Sequence, residues 1–181
     1  MVTLRKAGAY SKKYARPYTR VSKRKAKSFI KTVPQSKIVK FNAGNRKEFN
    51  AGKYDTKIRM VSTERVQVRD NALEASRQYV TRSLETQIPG QFYLEIKVYP
   101  HHLLRENKML TGAGSDRMQT GMQRSFGKTI GRAAMIKPGK EIFVIYTSGD
   151  KQIRISKEVL GAIKAKLPCK SKILLEKQVT K

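Results

Sequence analysis

The first carboxylate in this chain is Glu48, and before it stand fifteen Lys or Arg residues with no acid among them. Like charge at that density repels itself, so these residues cannot close into a compact unit on their own terms. From residue 48 onward the chain carries twenty-five cations against thirteen anions, and the formal net charge over 181 residues is +27. Solubility requires far less, and a polyanionic partner is therefore expected. No apolar run nears the roughly 18 residues needed to span a bilayer, and the start of the chain lacks the apolar core of a secretory signal. Nucleic acid, not membrane, is the expected partner. The lone cysteine, Cys169, offers neither a disulfide framework nor a thiolate metal cage, which suits a reducing intracellular compartment, and it reads as an unreactive surface thiol.

Residues 1–36 form the expected basic arm: too few branched apolar residues are present to bury a core, and the segment reads as extended when free. Within AYSKKYARPYTR, Tyr10, Tyr14 and Tyr18 alternate with Lys12, Lys13, Arg16 and Arg20, which sets aromatic faces between phosphate-pairing cations. Such a segment can stack on bases while neutralising backbone charge. Lys23, Arg24 and Lys25 continue the cationic run.

Residues 37–181 carry the patterns of one folded domain. KIVKF (37–41), KIRMVS (57–62) and ERVQVR (64–69) are short β-rich runs. Asn71 followed by Glu74 suggests a capping box, and Ala72, Leu73, Ser76, Val80 and Leu84 make an apolar stripe, predicting an amphipathic helix over about 71–86. QFYLEIKVYP alternates as a strand with one buried face. GRAAMI (131–136) and EIFVIYT (141–147), separated by Lys-Pro-Gly-Lys, read as a hairpin. Ser156 with Glu158 suggests the start of a second helix, ended by Pro168 before a last strand, KILLE. The predicted fold is thus α+β: a two-layer sandwich of mixed or antiparallel sheet with two amphipathic helices, a long loop and a basic N-terminal arm.

The loop, about residues 104–130, shows no sustained period, and a structureless stretch of that length inside a compact domain is commonly functional. Glycines at 112, 114, 121, 127 and 131 allow close backbone approach. Arg117, Arg124, Lys128 and Arg132 supply phosphate-pairing cations strung along the loop, and Met118 and Met122 add adaptable apolar contacts. Spacing of this kind fits folded RNA better than one triphosphate. GMQRSFGKT (121–129) imitates a phosphate-binding loop, but five residues rather than four separate Gly121 from Gly127-Lys128-Thr129, and Gly131 would weaken the helix that must follow. Gly112-Ala113-Gly114 lacks the third glycine of a dinucleotide fingerprint, since position 117 is arginine. His101 and His102 are adjacent and diverge, so no metal site is expected, and Ser115-Asp116 reads as a loop turn.

YPHHLLRENKML (99–110) and GAGSDRMQTGMQRSFGKTIGRAA (112–134), with RPYTR (16–20), VPQSKIVKF (33–41) and DNALEASR (70–77), closely resemble the universal large-ribosomal-subunit protein family called L-ten-e in archaea and eukaryotes and L-sixteen in bacteria. The wording of the central motif is similar to the archaeal type. The resemblance implies a non-catalytic constituent of the cytoplasmic ribosome, without cofactor, that binds large-subunit rRNA near the A-site tRNA and the 5S rRNA region. It implies neighbouring ribosomal proteins as further partners and no homo-oligomer. It also places the loop, Met109 to Lys128, toward the peptidyl-transferase centre. RNA-contacting roles then fall on Arg117, Gln119, Gly121, Met122, Arg124, Phe126, Gly127 and Lys128, flanked by Arg105, Lys108 and Arg132. The Lys-rich start departs from the family's pattern. The alternatives are a free-standing RNA-binding protein or chaperone, and a nucleotide hydrolase using Gly121 to Thr129.

Overall fold

The computed structural model describes Gly8, Tyr10, Ser11, Thr19, Ile30, residues 32–106 and residues 127–177. In chain order the elements are β1 (Asn42–Gly44), α1 (Arg46–Asn50), β2 (Thr56–Ser62), β3 (Val66–Arg69), α2 (Asp70–Gln87), β4 (Phe92–Ile96), β5 (His102–Glu106), β6 (Lys128–Ile136), β7 (Glu141–Thr147), α3 (Asp150–Ile163), a 3-10 turn (Lys164–Lys166) and β8 (Ser171–Lys177). Two antiparallel sheets result, one of five strands in the order β1-β4-β7-β2-β8 and one of three in the order β3-β6-β5. The α+β sandwich stands, with the short helix α1 in addition to the two expected.

Strand β7 lies at the centre of the larger sheet, and its residues Ile142 to Tyr146 are buried on both faces, as a nearly continuous apolar run requires. On one face Ile58, Met60, Leu94, Phe143 and Ile145 pack against Leu73, Val80 and Leu84 of α2 and Val159, Leu160 and Ile163 of α3. The same core takes in Val66 and Val68 of β3 and Ala134 and Ile136 of β6, so it runs beneath both sheets. The other face of the larger sheet carries Tyr54, Tyr93, Val144 and Tyr146, roofed by Phe49 of α1, whose ring stacks on Tyr93 at 4.4 Å between centroids. Tyr93 is therefore buried, against the expected outward-facing position. Tyr54 donates to Glu48 Oε2 at 3.2 Å, and burial together with that carboxylate pushes its hydroxyl pKa up to about 12.

Four local expectations need correction. GRAAMI and EIFVIYT are not a hairpin: β6 pairs with β3 and β5, whereas β7 pairs with β2 and β4. The turn between them bonds instead to the end of β2, Gly139 N–H to Ser62 O at 2.8 Å and Ser62 N–H to Lys140 O at 3.1 Å. The chain thus passes between sheets twice at one place. KIVKF is not a strand, because the Lys37 N–H donates to Asp70 Oδ2 at 3.0 Å, and only Phe41 O reaches a strand, at Ile96 N–H. The capping box of α2 does not form either. Arg69 is its N-cap, Asp70 supplies the negative charge of the first turn, and Glu74 is spent on Arg77, at 2.8 and 2.6 Å, and on Gln78 at 3.0 Å. Helix α3 begins at Asp150, not Ser156, which is buried mid-helix. Its start is set by Gly149 at φ +90°, a conformation that L side chains rarely adopt.

Candidate nucleic-acid interface

The three-stranded sheet is where the two basic segments meet the domain. Strands β5 and β6 pair from His102↔Ala133 to Glu106↔Lys128, with a bulge at Leu104/Arg105, so residues 107–126 leave and return through adjacent strand ends. The expected loop had included Leu104 to Glu106 and Lys128 to Ile130, which are strand. HHLLRE follows a proline and contains two histidines, a weak β signal that pairing with β6 overrides.

Arg105 and Lys128 are exposed at this neck. Gly127 is held there by space: a Cβ would come within 2.7 Å of Glu106 N and 2.9 Å of Arg105 Cβ. Its bareness serves the approach of its own chain to β5. Arg132 is half-buried and donates from Nε to Pro34 O at 2.7 Å, and Thr129 Oγ1 donates to Thr32 O at 2.8 Å. Lys128 and Thr129 open a strand, whereas a phosphate-binding loop must open a helix, so the nucleotide-hydrolase reading fails on geometry as well as on spacing.

Opposite β5, strand β3 forms the other edge of this sheet, and Tyr10 and Ser11 lie against it. Gln67 N–H donates to Ser11 O at 3.1 Å and Gln67 Nε2 to Tyr10 O at 2.8 Å, while the Arg69 guanidinium sits 5.9 Å over the Tyr10 ring. Ser11 and Ile30 are buried, at 6% and 4% exposure. Tyr10 therefore packs on its own domain, where the sequence had suggested a base-stacking ring. An edge strand left bare invites non-specific pairing, and covering it with this segment removes that hazard.

The remaining expected contacts, Lys12, Lys13, Arg16, Tyr18, Arg20, Lys23, Arg24, Lys25, Lys108, Arg117, Gln119, Gly121, Met122, Arg124 and Phe126, lie outside the described residues. Gln67 carries no motif that marks it as an anchor, and Thr129 and Arg132, which stand in the central motif, hold Thr32 and Pro34 of their own chain, a role the motif does not signal. His102, at the base of β5, is buried, and desolvation, then Arg105 and His101, hold its pKa below the ordinary value, favouring neutral imidazole. Burial likewise pushes the Cys169 thiol up, away from reactive thiolate.

The family model described as ribosomal protein L16p/L10e matches residues 16–174. The chain belongs to the L16p/L10e family of ribosomal proteins. Relatives named large ribosomal subunit protein uL16 are 40% identical in Staphylothermus marinus, over 96% of this chain and 94% of theirs, and 41% identical in Hyperthermus butylicus, over 94% and 88%. The Archaeoglobus fulgidus protein of that name is 35% identical over 96% of this chain and 94% of its own. These L16p/L10e proteins are components of ribosomes and not enzymes, which places this chain at the ribosome. No helix among the described residues is long and apolar enough to cross a membrane.

Proposed function

We propose that this L16p/L10e protein is a structural constituent of the large ribosomal subunit that binds large-subunit rRNA through the three-stranded sheet and the two basic segments attached to it. The supporting observation is convergence. The N-terminal segment is fastened to β3 at Gln67 and to β6 at Thr129 and Arg132, and residues 107–126 issue from the β5–β6 neck, so both cation-rich stretches emanate from one small sheet. Phosphates crowd where rRNA folds tightly, and cations presented from a rigid mount neutralise them at less entropic cost than cations on a free chain.

In this reading residues 1–36 act as the RNA-binding arm and 37–181 as the domain that positions the loop. The loop side faces the A-site tRNA and the peptidyl-transferase centre, the 5S rRNA region lies nearby, and other large-subunit proteins adjoin. Sucrose-gradient fractionation tests the assignment, because the protein should migrate with large subunits after a moderate salt wash, whereas a free-standing RNA chaperone should remain at the top. With about ten phosphates neutralised, log K for rRNA should fall with a slope on the order of −7 to −9 against log salt. A flat salt response would overturn the proposal. Shortening residues 111–126 should spare subunit assembly more than peptide synthesis.

A further inference from the structure

The two most exposed large apolar side chains in the described structure, Val39 at 75% and Tyr99 at 54%, both adjoin Phe41. Val39 lies two residues before it on the extended 37–41 segment, and the Tyr99 ring stacks on the Phe41 ring with centroids 5.5 Å apart and planes 23° apart. Phe41 in turn packs against the main core. One face of the tyrosine is thereby backed, and more than half of the residue remains exposed.

The mount is rigid. Val98 and Pro100 on either side of Tyr99 are buried, and Lys97 N–H donates to Ile142 O at 3.0 Å. After the tyrosine, the His101 N–H donates to Tyr99 O at 3.0 Å, with His101 Nδ1 also 3.0 Å from that oxygen. The segment bearing Phe41 is tied to the domain at two points, the Lys37 N–H donating to Asp70 Oδ2 at 3.0 Å and the Ile96 N–H donating to Phe41 O at 2.9 Å. Lys37 and Lys40 on the same segment are exposed. A tyrosine and a valine make too small an apolar area for a protein hot spot, which needs a desolvated pocket and a surrounding rim. A flat ring backed by a second ring, with two exposed cations on the segment that carries that second ring, fits a nucleobase.

We propose that Tyr99, stacked on Phe41, is a platform for one unpaired RNA base, with Lys37 and Lys40 meeting the adjoining phosphates. This rests on the rRNA-binding reading and adds a contact outside the β5–β6 loop, beyond the opposite end of β5. The π-face makes the contact tolerant of base identity.

The chain contains no tryptophan, so Tyr99→Trp in the full-length protein installs a single fluorescent reporter on the platform. Single-stranded oligouridine should quench that emission in step with binding measured in parallel by filter retention, and a blunt RNA duplex should bind without quenching. Tyr99→Phe should bind oligouridine as the parent does, and Tyr99→Leu, which keeps apolar bulk but loses the π-face, should bind roughly tenfold more weakly. Full retention of oligouridine with unchanged emission, and an unaltered affinity for the leucine variant, would overturn the platform while leaving the rRNA reading intact. Failure of every form to retain any RNA would overturn both. In large subunits carrying the reporter, an emission change that survives ribonuclease digestion would assign a protein neighbour to the ring and defeat the base.

Discussion

Charge is handled in opposite ways on the two sheets. On the five-stranded sheet Lys57 and Arg59 both reach Glu141, at 3.3 and 3.2 Å, and Arg59 also reaches Glu176 at 3.4 Å, while Lys97 meets Glu95 at 2.6 Å on the same side. On the three-stranded sheet the strands carry Arg69, Arg105, Lys128 and Arg132 with Glu106 as the single carboxylate. Ions shared within a sheet lower its dependence on anything outside, whereas an excess of one sign raises the free energy of the isolated protein and is offset by an anionic partner. The larger sheet nearly balances its charge among its own strands, and the smaller one carries a net excess of cations.

The strongest way to break that contrast is to remove cations from each sheet in turn. Replacing Arg105, Lys128 and Arg132 together by Ala should weaken rRNA binding by about two orders of magnitude at moderate salt and flatten the salt slope by roughly 2–3, if each meets one phosphate. The pair Lys57→Ala and Arg59→Ala should leave both quantities within error while lowering thermal stability. Filter binding across a salt series reads both. Equal losses from the two sheets would erase the distinction.

A smaller effect is expected from Glu141→Gln. Lys57 and Arg59 have side chains only 18% and 27% exposed, so losing their shared carboxylate leaves two poorly hydrated cations with Glu176 alone, at 3.9 and 3.4 Å. The cost should be about 1–2 kcal/mol in urea unfolding, below that of a fully buried pair.

Acid should discriminate further. Burial pushes Glu141 up, but the bonds from Arg59 and Lys57 outweigh it and hold the carboxyl below its ordinary 4.5, and the Arg77 bond does the same for Glu74. A depressed folded pKa means that stability is present above about pH 4.5 and is lost as pH falls through the folded value. The urea midpoint should hold from pH 7 to pH 5 and then drop, and Glu74→Gln should shallow the drop. The least effect belongs to Gln67→Ala, which should cost about 1 kcal/mol through the lost bond to Tyr10 O and change rRNA affinity by less than about threefold.

Sequence made the scaffold legible where local and tertiary preferences agree. Helix α2 announced itself through Leu73, Val80 and Leu84 at helical spacing, and β2 and β7 through dense β-branched and aromatic residues. Where they disagree it misled. Ser156 and Glu158 resemble a cap yet lie inside α3, and two strands joined by a four-residue turn belong to different sheets because that turn is claimed by Ser62. At the candidate interface, composition located the cations but not their mounting. Gln67 meets Tyr10 across 57 residues and Arg132 meets Pro34 across 98, separations no periodicity encodes.

The passage of the chain between sheets at Ser62 bears on how the molecule comes apart. Gly139 and Lys140 lock one crossing to the residue from which the other departs, and the core continues beneath both sheets. Neither sheet can melt while its neighbour persists, so denaturation should proceed as one cooperative transition, with amide hydrogens of β2 and β6 exchanging through the same global opening.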